Sequence, residues 1–169
     1  AHYDALLRAP WPHAPELVLR VGDLPTSKPL RAWLAGLDAP QISVDPEAAW
    51  QDPAGAVTAI VAADPRAAFD ALTPTPRDDR DWLETWRAAD DKAAAAIAAT
   101  LTDLSEPRVA AELGAVLPDD ATLFVASSMP VRDVETFFPV RETAIRTLSN
   151  RGANGIDGTV STAAGVAAA

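Results

Sequence analysis

The sequence predicts an α/β fold built on a parallel, helix-covered sheet, and three observations carry that reading. Short apolar, β-rich runs at 16–22 (ELVLRVG), 41–45 (QISVD) and 57–63 (VTAIVAA) alternate with helical patterns across short connections. The alternation resumes in the second half with TLFVASS (122–128) and AIRTLSN (144–150). Residues that cap or begin helices stand where the periodicity changes: Thr26, Asp64–Pro65, Ser105 and Pro130.

Each element follows from its own pattern. The first strand ends at Gly22, and a helix over 26–37 places Leu30, Trp33, Leu34 and Leu37 on one stripe, with Thr26 as its cap. Asp64 and Pro65 open a second helix that runs to Leu72. TPTPRDD (73–79) is a Pro-rich break. A long Ala-rich helix then covers about 79–101, with Trp82, Trp86, Ala89, Ala93 and Ile97 on a shared face. Trp82 and Trp86 therefore read as packing residues rather than a ligand platform. Ser105 caps the next helix, EPRVAAELGAVL, which Pro118 and two aspartates close. Strand 122–128 leads to a helix at 130–138 that begins with Pro. Strand 144–150 leads through the loop RGANGIDG to the small-residue helix TVSTAAGVAAA, whose free amides Asp157 is placed to cap.

Composition narrows the possible partners. With 49% apolar residues among 169, the chain can bury a core. A formal charge of −10 argues against nucleic acid or an anionic membrane surface, since both require clustered Lys and Arg. No apolar run approaches the ~20 residues of a membrane span. AHYDALLR lacks the basic head and apolar stretch of a signal peptide. There is no Cys, and His2 and His13 lie outside any cluster with ligand spacing, so no protein-only metal site is expected. These features fit a cytoplasmic protein.

In open parallel sheets, ligands sit beyond the C-terminal ends of strands. Two such ends carry chemistry: Ser127–Ser128 with Arg132, and Ser149–Asn150–Arg151 with Gly152, Gly155 and Gly158. The glycine spacing is neither the dinucleotide fingerprint nor a P-loop, and a tight turn without a ligand would also account for it. A phosphate at the last helix would meet the Asp157 charge, so that residue reads as structural. Ile156, apolar between two turn residues, points to contact with an apolar surface.

The motifs SSMPVRD (127–133) and SNRGANGIDGTVSTAAG (149–165) closely resemble the diphosphate-binding domain of the 2-succinyl-5-enolpyruvyl-6-hydroxy-3-cyclohexene-1-carboxylate synthases. These are thiamine-diphosphate (ThDP)-dependent enzymes of menaquinone biosynthesis. VGDLPTSKPLRAWL (21–34) is similar to the middle domain of the same family. The resemblance implies a Rossmann-like parallel sheet of a partial middle domain over 1–103. It further implies the start of a ThDP-binding α/β domain over 104–169, cut before its metal motif. The Gly-Asp-Gly triplet of that motif does not occur in the chain, since G-I-D-G at 155–158 is a different pattern.

What the resemblance implies for function is concrete. The full-length parent would be a transferase that decarboxylates 2-oxoglutarate and adds the succinyl-semialdehyde carbanion to isochorismate. It would use ThDP with Mg2+ or Mn2+ and work as a dimer or tetramer. The 169 residues alone would be inactive and would hold no cofactor, so no catalytic residue and no metal ligand is assigned. Carried over by motif, Ser128 and Arg132 line the substrate site, Arg151 is a second substrate-facing arginine, and Lys28 reaches the isochorismate side. Ile156 wedges the bent cofactor, with the Gly155 backbone beside its aminopyrimidine. Arginine suits dicarboxylate substrates because its planar fork binds a carboxylate at two points. Arg141 lies outside the motifs and is expected to be an indifferent loop residue. Two other readings stay open: a non-catalytic α/β binding module derived from the enzyme fold, and another ThDP enzyme such as an acetolactate-synthase relative.

Overall fold

A computed structural model describes residues 2–49, 51–73, 80–150 and 156–169. The chain forms two compact units, Leu6–Ala88 and a second made of Ala1–Ala5 with Ala89–Ala169. The α/β reading holds in both.

The first unit carries β1 (Val18–Val21), α2 (Lys28–Ala35), β2 (Gln41–Val44), β3 (Ala59–Val61) and α3 (Pro65–Asp70), whereas the short α1 (Tyr3–Leu6) belongs, but for Leu6, to the second. Its three strands pair in the order β1-β2-β3 and all run parallel. The cap of α2 is Ser27 rather than Thr26: its buried hydroxyl accepts the Leu30 amide at 3.2 Å. One residue decides this, because only Ser27 directly precedes the first helical residue. Asp64 caps α3 as its sequence indicates, accepting the Ala67 amide at 3.0 Å.

The register sorts the sheet into two unlike faces. Leu19, Val21, Ile42, Val44, Ala59 and Val61 share one face, and every one of them is apolar. Arg20, Gln41 and Ser43 fall on the other, where Gln41 is fully buried and donates to the Leu34 carbonyl of α2 at 2.5 Å. Leu19, Val21 and Val61 remain exposed, while Leu34 is buried. Helices thus lie over both faces. α2 meets the face of Gln41, while α3 and Leu72 lie over the apolar face around a small cavity with Leu19, Ile42, Val44 and Val61, where Val44 is buried and the edge residues stay exposed. An aromatic cluster forms the other part of the unit. Trp86 of α4 (Arg80–Thr100) lies 4.5 Å from Trp11, 5.9 Å from Trp82 and 6.0 Å from Trp33 between ring centroids. Packing is therefore the role observed for Trp82 and Trp86.

The second unit contains the end of α4, then α5 (Glu106–Val116), β4 (Thr122–Phe124), α6 (Met129–Phe137), β5 (Arg146–Leu148) and α7 (Thr159–Ala168). Strands β4 and β5 are parallel, with Phe124 opposite Leu148. Ser105 caps α5, accepting the Arg108 amide at 3.4 Å. Helices α5 and α6 pack together, and Gly114 faces Pro139 with no room for a Cβ between them. Near the N-terminus, the Tyr3 hydroxyl donates to Glu135 of α6 at 2.7 Å. Burial and that carboxylate both push the Tyr3 phenol upward. No described helix is long and apolar enough to cross a membrane.

The units part inside α4, whereas the sequence places its domain boundary after that helix, at 103. Compactness and homologous domain limits are different quantities, and a helix of 21 residues can serve both sides.

Candidate functional site

Parallel pairing makes β4 and β5 end at the same edge of their sheet. The ladder continues one step further, with the Val125 amide donating to the Leu148 carbonyl at 2.8 Å. The loops holding Ser128 and Asn150 therefore leave from adjacent positions, where an α/β sheet presents ligand-binding groups.

Ser128 is the strained point of this edge. Its φ is 77° and ψ −131°, a region that side chains other than glycine's rarely occupy, at about 1–3 kcal/mol each. As the residue preceding α6 it should cap the helix, yet its hydroxyl makes no capping bond. Strain and an unused cap together leave that hydroxyl exposed at the sheet edge. Arg132, one turn later, folds back so that one guanidinium nitrogen donates to the Ser128 carbonyl at 2.5 Å. The remainder of the exposed guanidinium is available as a carboxylate fork.

Asn150 and the residues from Ile156 onward flank the second loop. Gly158 takes the left-handed conformation before α7, at φ 80°. The Thr159 hydroxyl donates to the Ile156 carbonyl at 2.7 Å and meets Asn150 Oδ1 at 3.4 Å, linking the end of β5 to the start of α7. Ile156 is 56% exposed, so its side chain projects rather than packs. Asp157 does not cap α7: Gly158 occupies that position and no side chain bonds the helix amides. The left-handed turn moves Asp157 one residue too early to reach them. Arg151 and Gly155, both predicted at this loop, lie outside the described residues.

Lys28 belongs to the first unit and is the first residue of α2, exposed. A cation there opposes the helix dipole by about 0.3–1 kcal/mol. Its position is thus not one that helix stability selects.

Two residues differ from what the sequence suggests. Arg141 is no indifferent loop residue: it donates to the Gly114 carbonyl and, at 2.8 Å, to Asp119, with its side chain largely buried. Thr143 also donates to Asp119, and these bonds, Thr143 first and then Arg141, hold that carboxylate below the ordinary range. Asp133 was not assigned a role, yet it is buried against α5 at 6% exposure. Burial and the neighbouring Glu106 push its carboxyl upward. The signal was present in the pattern, because Pro130, Asp133, Val134 and Phe137 share one helical stripe.

Comparison with known proteins yields one consistent set of relatives. Over 173 residues, 96% of this chain, the sequence is 44% identical to 2-succinyl-5-enolpyruvyl-6-hydroxy-3-cyclohexene-1-carboxylate synthase of Listeria welshimeri, of which it covers 30%. It is 44% identical over 176 residues to the protein of that name from Halobacterium salinarum, with 99% of this chain and 29% of the relative aligned. For Myxococcus xanthus the identity is 43% over 177 residues, with 100% and 30% covered. The chain spans about 30% of the length of the curated relatives it matches. No family model matches it.

Proposed function

We infer, from a chain that belongs to the 2-succinyl-5-enolpyruvyl-6-hydroxy-3-cyclohexene-1-carboxylate synthase family over the stretch it shares with them, that the chain contributes residues to a ThDP-dependent synthase site. The observation that carries the reading is the β4–α6 turn: a strained serine with an unused hydroxyl, one helical turn from an arginine with an exposed fork. In the full-length parent, Ser128, Arg132, Arg151 and Lys28 bind 2-oxoglutarate and isochorismate through their carboxylates. Arg132 orients a carboxylate at two points, and the rigid Ser128 turn fixes where that fork begins.

The residues present fit a cofactor on its apolar side. Ile156 projects from a loop anchored through Asn150 and Thr159, and would brace ThDP with the Gly155 backbone beside the aminopyrimidine. When bound, ThDP supplies the electron sink that decarboxylation of a 2-keto acid requires. The family's divalent metal, Mg2+ or Mn2+, would be held outside this stretch, whose sequence lacks the Gly-Asp-Gly triplet. The 169 residues alone therefore neither turn over nor retain ThDP. Calorimetric titration with ThDP and magnesium should give no saturable heat at sub-millimolar concentration, and tight binding would refute this division of labour. The domain limits proposed for the parent are a middle domain to 103 and the ThDP-binding domain from 104. The parent assembles as a homo-oligomer in the cytoplasm.

The arginines provide the direct test. In the full-length synthase, Arg132→Lys and Arg151→Lys keep the charge but lose the planar fork, and kcat/KM should fall roughly tenfold to several-hundredfold. Arg141 is unsuitable as a control because it clamps α5 to Asp119. Arg66, with its side chain 91% exposed, replaces it, and Arg66→Lys should leave kcat/KM unchanged. Equal behaviour of Arg132→Lys and Arg66→Lys would remove Arg132 from the site.

A further inference from the structure

Helices α5 and α6 enclose a groove of about 670 Å³ whose walls are mainly apolar, with Leu104, Val109, Leu113 and Met129 among them, and which Asp133 and Glu106 also line. Leu104 at its rim is 86% exposed, and Met129 and Val109 are also exposed. Asp133 lines this groove at 6% exposure, and its carboxylate has no hydrogen bond to any described residue and keeps contact with the open groove. The charged neighbour that acts on it is Glu106, which bears the same sign. A buried carboxylate with an apolar lining and a second carboxylate beside it is unfavourable unless a cation completes the set.

We propose that the α5–α6 groove seats an apolar segment of the longer protein that carries a Lys or Arg, with Asp133 as the ion-pair partner of that cation and Glu106 reinforcing it. The lining selects the apolar part of the occupant and the two carboxylates select its charge. Most of the relatives' length lies outside the matched stretch, so polypeptide of the same protein is available to fill the groove. A second copy of this chain also offers arginines in apolar runs, Arg20 in LVLRV and Arg31 in PLRAWLAGL, so it is the competing occupant that the crosslinking test separates. The proposal rests on the chain being part of a longer polypeptide, and not on its synthase chemistry.

The test compares Asp133→Asn in the full-length protein and in the 169-residue chain by thermal unfolding. In the short chain the substitution removes an unpaired buried charge and should raise Tm by about 2–4 °C. In the full-length protein it breaks an ion pair and should lower Tm by a similar amount. The same sign in both would overturn the proposal. A photo-crosslinking phenylalanine analogue at Leu104 of the full-length protein identifies the occupant independently of stability. The expected adduct maps to a peptide outside the 169 residues with Lys or Arg close to the crosslinked position. An adduct to a second copy of this stretch, to a peptide without a basic residue, or no adduct at all would refute it. Neither readout involves turnover, so loss of the synthase assignment would be seen separately in kinetics.

Discussion

Two aspartates, one in each compact unit, are buried to nearly the same degree and are treated in opposite ways. Asp52 accepts the Val57 amide at 2.8 Å and faces Arg20 at 3.3 Å, whose other nitrogen donates to the Gln51 carbonyl at 2.8 Å. Burial alone would raise its pKa, but the Val57 and Ala56 amides and Arg20 outweigh burial and hold it below the ordinary range. Asp133 meets burial and Glu106 with nothing to oppose them, and its pKa rises. The three-stranded unit therefore compensates its buried charge, although Gln41 Oε1 and the indole nitrogens of Trp11 and Trp86 stay buried without a partner, while the two-stranded unit leaves strain and charge uncompensated near the sheet edge. A charge that the fold itself satisfies is structural. One that it leaves unsatisfied is available for something else.

Removing the compensation at Asp52 should have the largest effect on stability. Arg20→Ala leaves a buried carboxylate with backbone amides alone, and chemical denaturation should report a loss of about 2–4 kcal/mol. A change within error would mean that the amides suffice and that Arg20 is ornamental. The substitution Gly114→Ala sharpens the contrast from the other unit. Alanine gains about 1 kcal/mol of helix propensity over glycine, but its Cβ would occupy the space of the Pro139 ring. Overpacking should win, with a net loss of about 1–2 kcal/mol. A stabilised variant would show that the α5–Pro139 contact yields easily.

The pH dependence separates the two carboxyls by sign. Asp52, lowered in the folded state, contributes stability that is present above the ordinary carboxyl pKa of about 3.9 and is lost as pH falls through its folded value. Asp133, raised in the folded state, binds a proton more readily folded than unfolded. Its contribution therefore falls as pH rises from about 3.9 through its folded value. In the 169-residue chain, Asp52→Asn should flatten the acid limb of the stability curve. Asp133→Asn should flatten the opposing slope just above it. Matching changes from both variants would break the comparison.

The smallest effect concerns the strained turn. Ser128→Gly relieves a φ of 77° but adds freedom to the unfolded chain, so a net gain of about 1 kcal/mol is expected. In the full-length synthase the same substitution should lower kcat/KM, because it deletes the exposed hydroxyl. Gain in stability with loss of turnover would mark the strain as functional, and loss of both would mark it as structural.

Much of this was legible along the chain. Alternation of short β-rich runs with capped helices indicates parallel pairing, since α2 between β1 and β2 and α6 between β4 and β5 supply the crossovers, whereas β2 and β3 pair in parallel with no helix described between them. Local chemistry also determines the Asp64 and Ser105 caps and the placing of Trp82 and Trp86 in an aromatic cluster. The motif around Ser128 and Arg132 was visible as a motif, since both residues lie within one turn of one helix. What tertiary structure alone decided is how completely each face of the first sheet is covered, and which charges are satisfied. Arg141 and Asp119 are 22 residues apart, and Arg20 and Asp52 are 32 apart. No local pattern records such a pairing, because sequence periodicity encodes the direction of a side chain and not what waits across the gap. For the same reason Asp133 reads as one more helix-surface charge until α5 is seen to bury it.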